Sequence, residues 1–151
     1  MSSPNEPMIE RKPLIAIVDR ATRLLSADMV RESHARGHTQ LRPAHDPVFA
    51  TLPSEGARAS DMAQRAGITK QSMGEAIRDM VDLGLVEMQE DPTDRRAKLV
   101  RFTDAGHAVA QDGKRHMYAL EQQWIEKFGE KEYETAREVL EGIVEMMTPQ
   151  P

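Results

Sequence analysis

Lys70, Gln71, Ser72, Gly74, Glu75 and Arg78 share one side of a helical wheel, and Asp94, Arg95, Arg96 and Lys98 cluster in a polar stretch beyond them. The first set carries donors and acceptors suited to base edges in a DNA major groove. Lysine and arginine match guanine or phosphate, glutamine matches adenine, and glutamate matches the cytosine amino group. The second set suits the minor groove, where a narrow electronegative floor attracts an arginine carried on a protruding loop. A neighbouring carboxylate such as Asp94 can hold that guanidinium in one orientation through a paired hydrogen bond.

These side chains need elements to aim them. Arg58 to Met73 reads as helix, tight turn, helix, with Ala63 as the small residue at the helix contact and Gly67 as the turn that tolerates positive φ. Met62, Ala66, Ile68, Met73 and Ile77 then face inward at helical spacing. Thr69 is the expected N-cap of the second helix and joins the groove-facing set. Gly74 costs that helix about 1 kcal/mol relative to alanine, which close approach to DNA or tight packing would explain. Two short strands follow, Leu85–Glu90 and Lys98–Thr103, around a seven-residue loop from Asp91 to Ala97. That loop is longer than the common hairpin connections. An exposed polar helix face alone is ordinary solvated surface. A helix-turn-helix followed at once by a basic hairpin is a winged helix, which is a more specific combination.

Helices flank this reading head. Residues 1–12 are polar, contain Pro4 and Pro7, and read as a flexible N-terminal arm. Pro13 is the expected first helical residue of a stripe formed by Leu14, Ile17, Ala21, Leu25 and Met29, which Gly37 closes. Residues 41–45 are a connector, and Asp46-Pro47 starts a short helix bearing Phe49 and Leu52. Thr103 caps a long helix with Val109, Met117, Leu120, Trp124 and Phe128 inward; Gly129 breaks it. Tyr133, Ala136, Leu140, Ile143 and Met147 line a last helix. The expected fold is mainly α with a small β-hairpin wing: a winged helix-turn-helix (46–103) between N- and C-terminal dimerisation helices (13–40 and 104–151), all in one domain over 13–151. The terminal stripes exceed what a compact head covers, which predicts a two-fold homodimer. Two recognition helices spaced by one DNA turn, ~34 Å, would read a palindromic operator.

Composition narrows the function. The 151 residues carry a net charge of −5 and no cysteine, which excludes a disulfide scaffold and thiol redox sensing by this chain. Residues 57–103 hold eight basic and eight acidic side chains, whereas residues 104–151 hold five basic and ten acidic ones. The acidity therefore lies away from the proposed DNA face, and weak non-specific DNA affinity is expected. The apolar run Leu14–Val18 is too short for a membrane span or signal-peptide core, so a soluble, cytoplasmic protein is expected. No glycine-rich phosphate loop, nucleophile elbow or paired-carboxylate motif supports an enzyme, and no cofactor is expected. His34 and His38 have the spacing of two imidazoles on one helix face, but Gly37 intervenes and nothing completes a zinc set; no metal site is assigned.

Arg58-Ala59-Ser60-Asp61-Met62-Ala63, Leu83-Gly84-Leu85-Val86, Asp91-Pro92-Thr93-Asp94-Arg95-Arg96 and Phe102-Thr103-Asp104-Ala105-Gly106 resemble the MarR family of bacterial transcriptional regulators. The likeness extends from about residue 13 onward and departs from the family pattern at Glu87, Glu90 and Asp91, which make the wing base acidic. It implies Arg96 in the minor groove with Asp94 as its support, the Lys70–Arg78 face in the major groove, and dimerisation through intertwined termini. It also implies a ligand-responsive repressor that a small aromatic or phenolic anion releases from double-stranded DNA. Candidate ligand contacts are Arg20, Arg42, His45, His116 and Trp124, with Phe49 as apolar wall. The alternatives are a winged helix used only for protein contacts, and a metal-responsive regulator.

Overall fold

Apolar spacings of three and four resolve into helices α1 (Leu14–Ala35), α2 (Asp46–Thr51), α3 (Ala59–Ala66), α4 (Lys70–Asp82), α5 (Asp104–Phe128) and α6 (Glu130–Met147). One hairpin, β1 (Val86–Asp91) and β2 (Asp94–Phe102), stands between α4 and α5. The computed structural model describes residues 11–149, so the polar arm expected over 1–12 lies largely outside the described residues. The chain divides into two compact units, one ending at Gln111 and one beginning at Asp112.

Local chemistry accounts for the boundaries. Pro13 is the N-cap of α1 with extended backbone, not its first helical residue, and Gly37 takes a φ of 98° just past the helix end. Pro13 keeps Lys12 out of the helical region, and its own ψ of 146° is extended, so the first helical residue is Leu14. The 41–45 connector contains a 3-10 turn, Pro43–His45, that leads directly into α2. Gly67 closes α3 at φ 65°, and the Thr69 hydroxyl accepts the Ser72 N–H at 3.1 Å to cap α4. Both match the residue types that such positions require.

The core of the first unit is small and rich in methionine. Met62, Met73, Met80, Val48, Val86 and Val100 are fully buried, with Ala63, Ala76 and Ile77 beside them. Phe49 belongs to this core, its ring stacked 5.8 Å from that of Phe102. It therefore packs on the core and is only partly buried. In the second unit, Gly129 turns the chain between α5 and α6 at φ 101°.

The hairpin differs from its sequence-based outline. Its register pairs Val86 with Phe102, Glu87 with Arg101, Glu90 with Lys98, and then Asp91 with Asp94. The expected seven-residue loop is instead a turn at Pro92 and Thr93, with Arg95, Arg96 and Ala97 bulged out of β2. The cause is Asp91, whose Oδ1 accepts both the Thr93 backbone N–H (2.8 Å) and its hydroxyl (2.6 Å), folding the chain back two residues later. Ala57 exchanges both backbone hydrogen bonds with Val100, so the base of β2 is paired on two sides.

The wing and α5 meet the exit of α4 at a single junction. The Thr103 N–H donates to the Leu85 carbonyl at 3.1 Å, and the Thr103 hydroxyl donates to the Gly84 carbonyl at 2.6 Å. The same hydroxyl oxygen accepts the Gly106 N–H at 3.1 Å and so caps α5. A Cβ on Gly106 would lie 1.8 Å from the Leu85 carbonyl oxygen, with no flexible atom to yield. Gly106→Ala should therefore destabilise the protein by roughly 1–3 kcal/mol or more, as overpacking against backbone does. Thermal unfolding checks this, and an unchanged melting temperature would refute the close contact.

Candidate nucleic-acid interface

α4 divides cleanly into two faces. Met73, Ala76, Ile77 and Met80 are buried, while Lys70, Gln71, Ser72, Glu75 and Arg78 are exposed and Gly74 is half-buried between them. All of the groove-facing set is therefore presented together on one rigid helix. Thr69 is at its head, with its hydroxyl oxygen engaged in the cap. Gln71 Nε2 donates to Glu75 Oε1 at 3.2 Å, so two of the candidate base contacts hold each other.

Gly74 is not required by packing. A Cβ there would meet only Arg78 Nη1, at 3.4 Å, which is the mobile end of a long side chain. Ala59, Gly74, Ile77, Val81 and Met88 instead line a shallow, mainly apolar recess of about 340 Å³ between α4 and the wing. Of the two accounts open from sequence, internal packing drops out and close approach of an external surface stays.

In the wing, Asp94, Arg95, Arg96 and Lys98 are all exposed. Asp94 does not fork onto a guanidinium as expected; its Oδ1 accepts the backbone N–H of Arg96 at 3.0 Å. A carboxylate two residues before an N–H makes this turn locally, and the arginine side chain stays free to project. The acidic residues at the wing base have cross-strand partners. In the register Glu87 lies opposite Arg101 and Glu90 opposite Lys98, and Gln89 bridges the first two, donating to Glu87 at 2.6 Å and accepting from Arg101 at 3.4 Å.

Asp91, which the sequence marks only as an acid at the wing base, organises the wing turn. Its side chain is only 6% exposed. Besides the two bonds from Thr93, its Oδ2 accepts from Arg58 Nε at 2.9 Å and from Arg58 Nη2 at 2.6 Å. The carboxylate thus fills all four of its acceptor sites. Arg58, at the N-cap of α3, also brings Nη2 within 3.9 Å of Asp94. The Asp91-Pro92-Thr93 composition was a readable signal for the turn; the partner 33 positions away was not.

Two of the ligand candidates lie together. Arg42 and His45 line one recess of about 340 Å³ with Gln40, Asp79, Asp82 and Leu83. The Arg42 guanidinium is already paired with Asp79, on the back of α4. His45 is 1% exposed; its Nδ1 accepts the Arg42 N–H at 3.2 Å, and its Nε2 faces Asp79 at 3.6 Å without a hydrogen bond. Arg20 is exposed on α1, and His116 and Trp124 belong to the second unit. His34 Nε2 is engaged by the Leu41 carbonyl at 2.8 Å, and no metal-holding group of three or more ligands occurs among the described residues. No described helix is long and apolar enough to cross a membrane.

Two outcomes follow from this geometry. Gly74→Ala should raise helix stability by about 1 kcal/mol while lowering DNA affinity, measured by melting and by fluorescence anisotropy; equal affinity would remove close approach as the reason for glycine. The second concerns acid. The Thr93 hydroxyl and N–H, then the Arg58 guanidinium, hold the Asp91 carboxyl down from 3.8 to about 2. A depressed carboxyl contributes stability that is complete above the unfolded value and disappears as pH falls through the folded one. NMR titration of the Asp91 carboxyl should therefore show wing order retained at pH 4 and lost towards about 2; a midpoint near 3.8 would contradict the four-bond arrangement.

Comparison with known proteins agrees with this architecture. The MarR family model matches residues 43–97. The HTH-type transcriptional regulator TcaR of Staphylococcus aureus is 26% identical over 121 residues, 79% of this chain and 79% of that protein. Among solved structures, a SlyA-like transcription regulator from Listeria monocytogenes superposes with a TM-score of 0.78 at 14% identity, covering 91% of each chain. CouR from Rhodococcus jostii RHA1 bound to p-coumaroyl-CoA superposes at 0.70 with 22% identity, covering 84% of this chain and 88% of that one. The transcriptional repressor CouR bound to a 23-mer DNA duplex gives 0.70 and 22%, covering 87% and 92%. The reading head, residues 43–97, is thus similar to the MarR family of transcriptional regulators, and the chain has the winged helix-turn-helix fold of solved regulators of that kind.

Proposed function

We propose that the protein is a homodimeric, ligand-responsive repressor that binds a palindromic operator and works in the cytoplasm. The observation that carries this is the joint presentation of two cationic readers on one core. α4 offers Lys70, Gln71, Ser72, Gly74, Glu75 and Arg78 to a major groove, and the adjacent wing turn offers Arg95, Arg96 and Lys98. In this proposal Arg96 enters the minor groove, Asp94 fixes its backbone, and Thr69 sets the first turn of the reading helix.

Dimerisation through residues 13–40 and 104–151 is supported by what those helices leave uncovered. α1 and α6 bury no residue fully. Ile15 is 76% exposed, Leu24 62%, Val144 65% and Met147 77%. Surfaces this apolar are normally covered by a partner, and a two-fold dimer is the commonest solution. Such a dimer would set two α4 helices on successive turns of a palindrome.

The ligand response is supported by the Arg42–His45 recess. A small aromatic or phenolic anion there would compete with Asp79 for the Arg42 guanidinium, and Asp79 is on the reading helix. CouR, with a related fold, binds p-coumaroyl-CoA as well as DNA.

The test is binding across a salt series to duplexes selected by the protein from a random-sequence library, against scrambled duplexes. Specific binding with two chains per palindrome is expected, and Arg96→Ala should cost about 1–3 kcal/mol of affinity with the dimer intact by sedimentation. Equal, weak binding to selected and scrambled DNA would instead favour a winged helix used for protein contacts.

A further inference from the structure

We propose that Arg58 is a positioning residue of the wing: it fixes Asp91, and through Asp91 and Asp94 it sets the turn that presents Arg96. This rests on the wing being the minor-groove reader.

The covalent path from α3 to the wing tip is long, but the polar path is short. Arg58 Nε and Nη2 both donate to Asp91 Oδ2, while Asp91 Oδ1 accepts the Thr93 N–H and hydroxyl. One residue on, Asp94 accepts the Arg96 N–H, and its other oxygen is 3.9 Å from Arg58 Nη2. A single guanidinium therefore faces both carboxylates that shape the tip. Nothing apolar holds that tip: Pro92, Thr93, Asp94, Arg95 and Arg96 are all exposed. A bulged two-strand ribbon without core contacts is marginal by itself, so the order of the tip depends on these bonds. Arg58 also belongs to the rigid part of the reading head, at the N-cap of α3, with the buried Ala57 before it hydrogen-bonded to Val100 of β2. Lysine would not replace it, since one ammonium cannot reproduce the planar fork of N–H groups.

The rival role is direct: a half-exposed arginine at a helix N-terminus could bind a DNA phosphate itself. The two roles differ in salt dependence, because losing a phosphate contact lowers the slope of log K against log salt by about one, whereas mispositioning another residue does not add to that residue's own loss.

The experiment uses the full-length protein and the duplex it selects from a random-sequence library. Arg58→Gln, Asp91→Asn, Arg96→Ala and the double variant Arg58→Gln/Arg96→Ala are compared, with melting and sedimentation to establish that each is folded and dimeric. Arg58→Gln and Asp91→Asn should each lose about tenfold in affinity. In the Arg96→Ala background Arg58→Gln should cost nothing more, and the slope should equal that of Arg96→Ala alone. Amide hydrogen exchange of Thr93 and Arg96 in the free protein should quicken in Arg58→Gln while α4 amides stay protected. Additive losses with a further drop of about one in slope would overturn the proposal and make Arg58 a phosphate ligand. If Arg96→Ala binds as the wild type does, the minor-groove assignment fails. Hydrogen exchange then decides the clamp alone: faster exchange upholds it and unchanged exchange overturns it. The same exchange measurement on Asp91→Asn decides the matter if Arg58→Gln does not fold.

Discussion

The contact between Gly106 and the Leu85 carbonyl is the constraint on which the reading head depends. Four segments converge there: the exit of α4, the first residue pairs of β1 and β2, and the first turn of α5. Thr103 binds the carbonyls of Gly84 and Leu85 and caps α5 with the same hydroxyl. The reading helix and the wing are thus set against each other by backbone packing, which salt does not screen. Under the proposed function that angle has to be fixed before the protein meets DNA, since ordering it on binding would cost affinity.

The core beneath this junction is built to a different specification. Met62, Met73 and Met80 fill it where branched or aromatic side chains would normally be found. Unbranched thioethers fill irregular gaps and tolerate repacking. With a core this small, much of the apolar surface of the chain remains on α1 and α6. The reading head can hold its own geometry, while the flanking helices need something further to cover them.

Much of this was legible from sequence because it is local. Gly67 and Thr69 announce a turn and a cap by their own conformational preferences, and the buried face of α4 follows from periodicity. The Thr103–Gly106 spacing marked the start of α5, yet only the structure shows why glycine is needed, since the obstructing carbonyl comes from another element. The wing was misjudged for the same reason. Strand composition located β1 and β2, but the tip is shaped by a carboxylate and an arginine far apart in the chain. The wing base is acidic when residues are counted along the chain. The register places those acids opposite Arg101 and Lys98, which spacing alone does not reveal. His45 is comparable: nothing in its neighbours signals that it is buried behind α4.

Charge on this protein therefore acts by position and not by sum. The chain is acidic overall, and its reading head is balanced, so no broad positive field draws it to DNA. What it has are a few exposed cations on α4 and the wing, and acids that lie opposite cations in the strand register or shape the wing turn. The reading face repeats the pattern, with Gln71 bound to Glu75 until a base edge offers a better partner. Breaking that bond is repaid only where adenine or cytosine supplies the replacement; elsewhere a desolvated polar group is left unpaired. In the proposed function, a weak field combined with self-satisfied readers would lower affinity for arbitrary DNA more than for the right sequence. Such a difference is specificity, and a negative net charge is compatible with it.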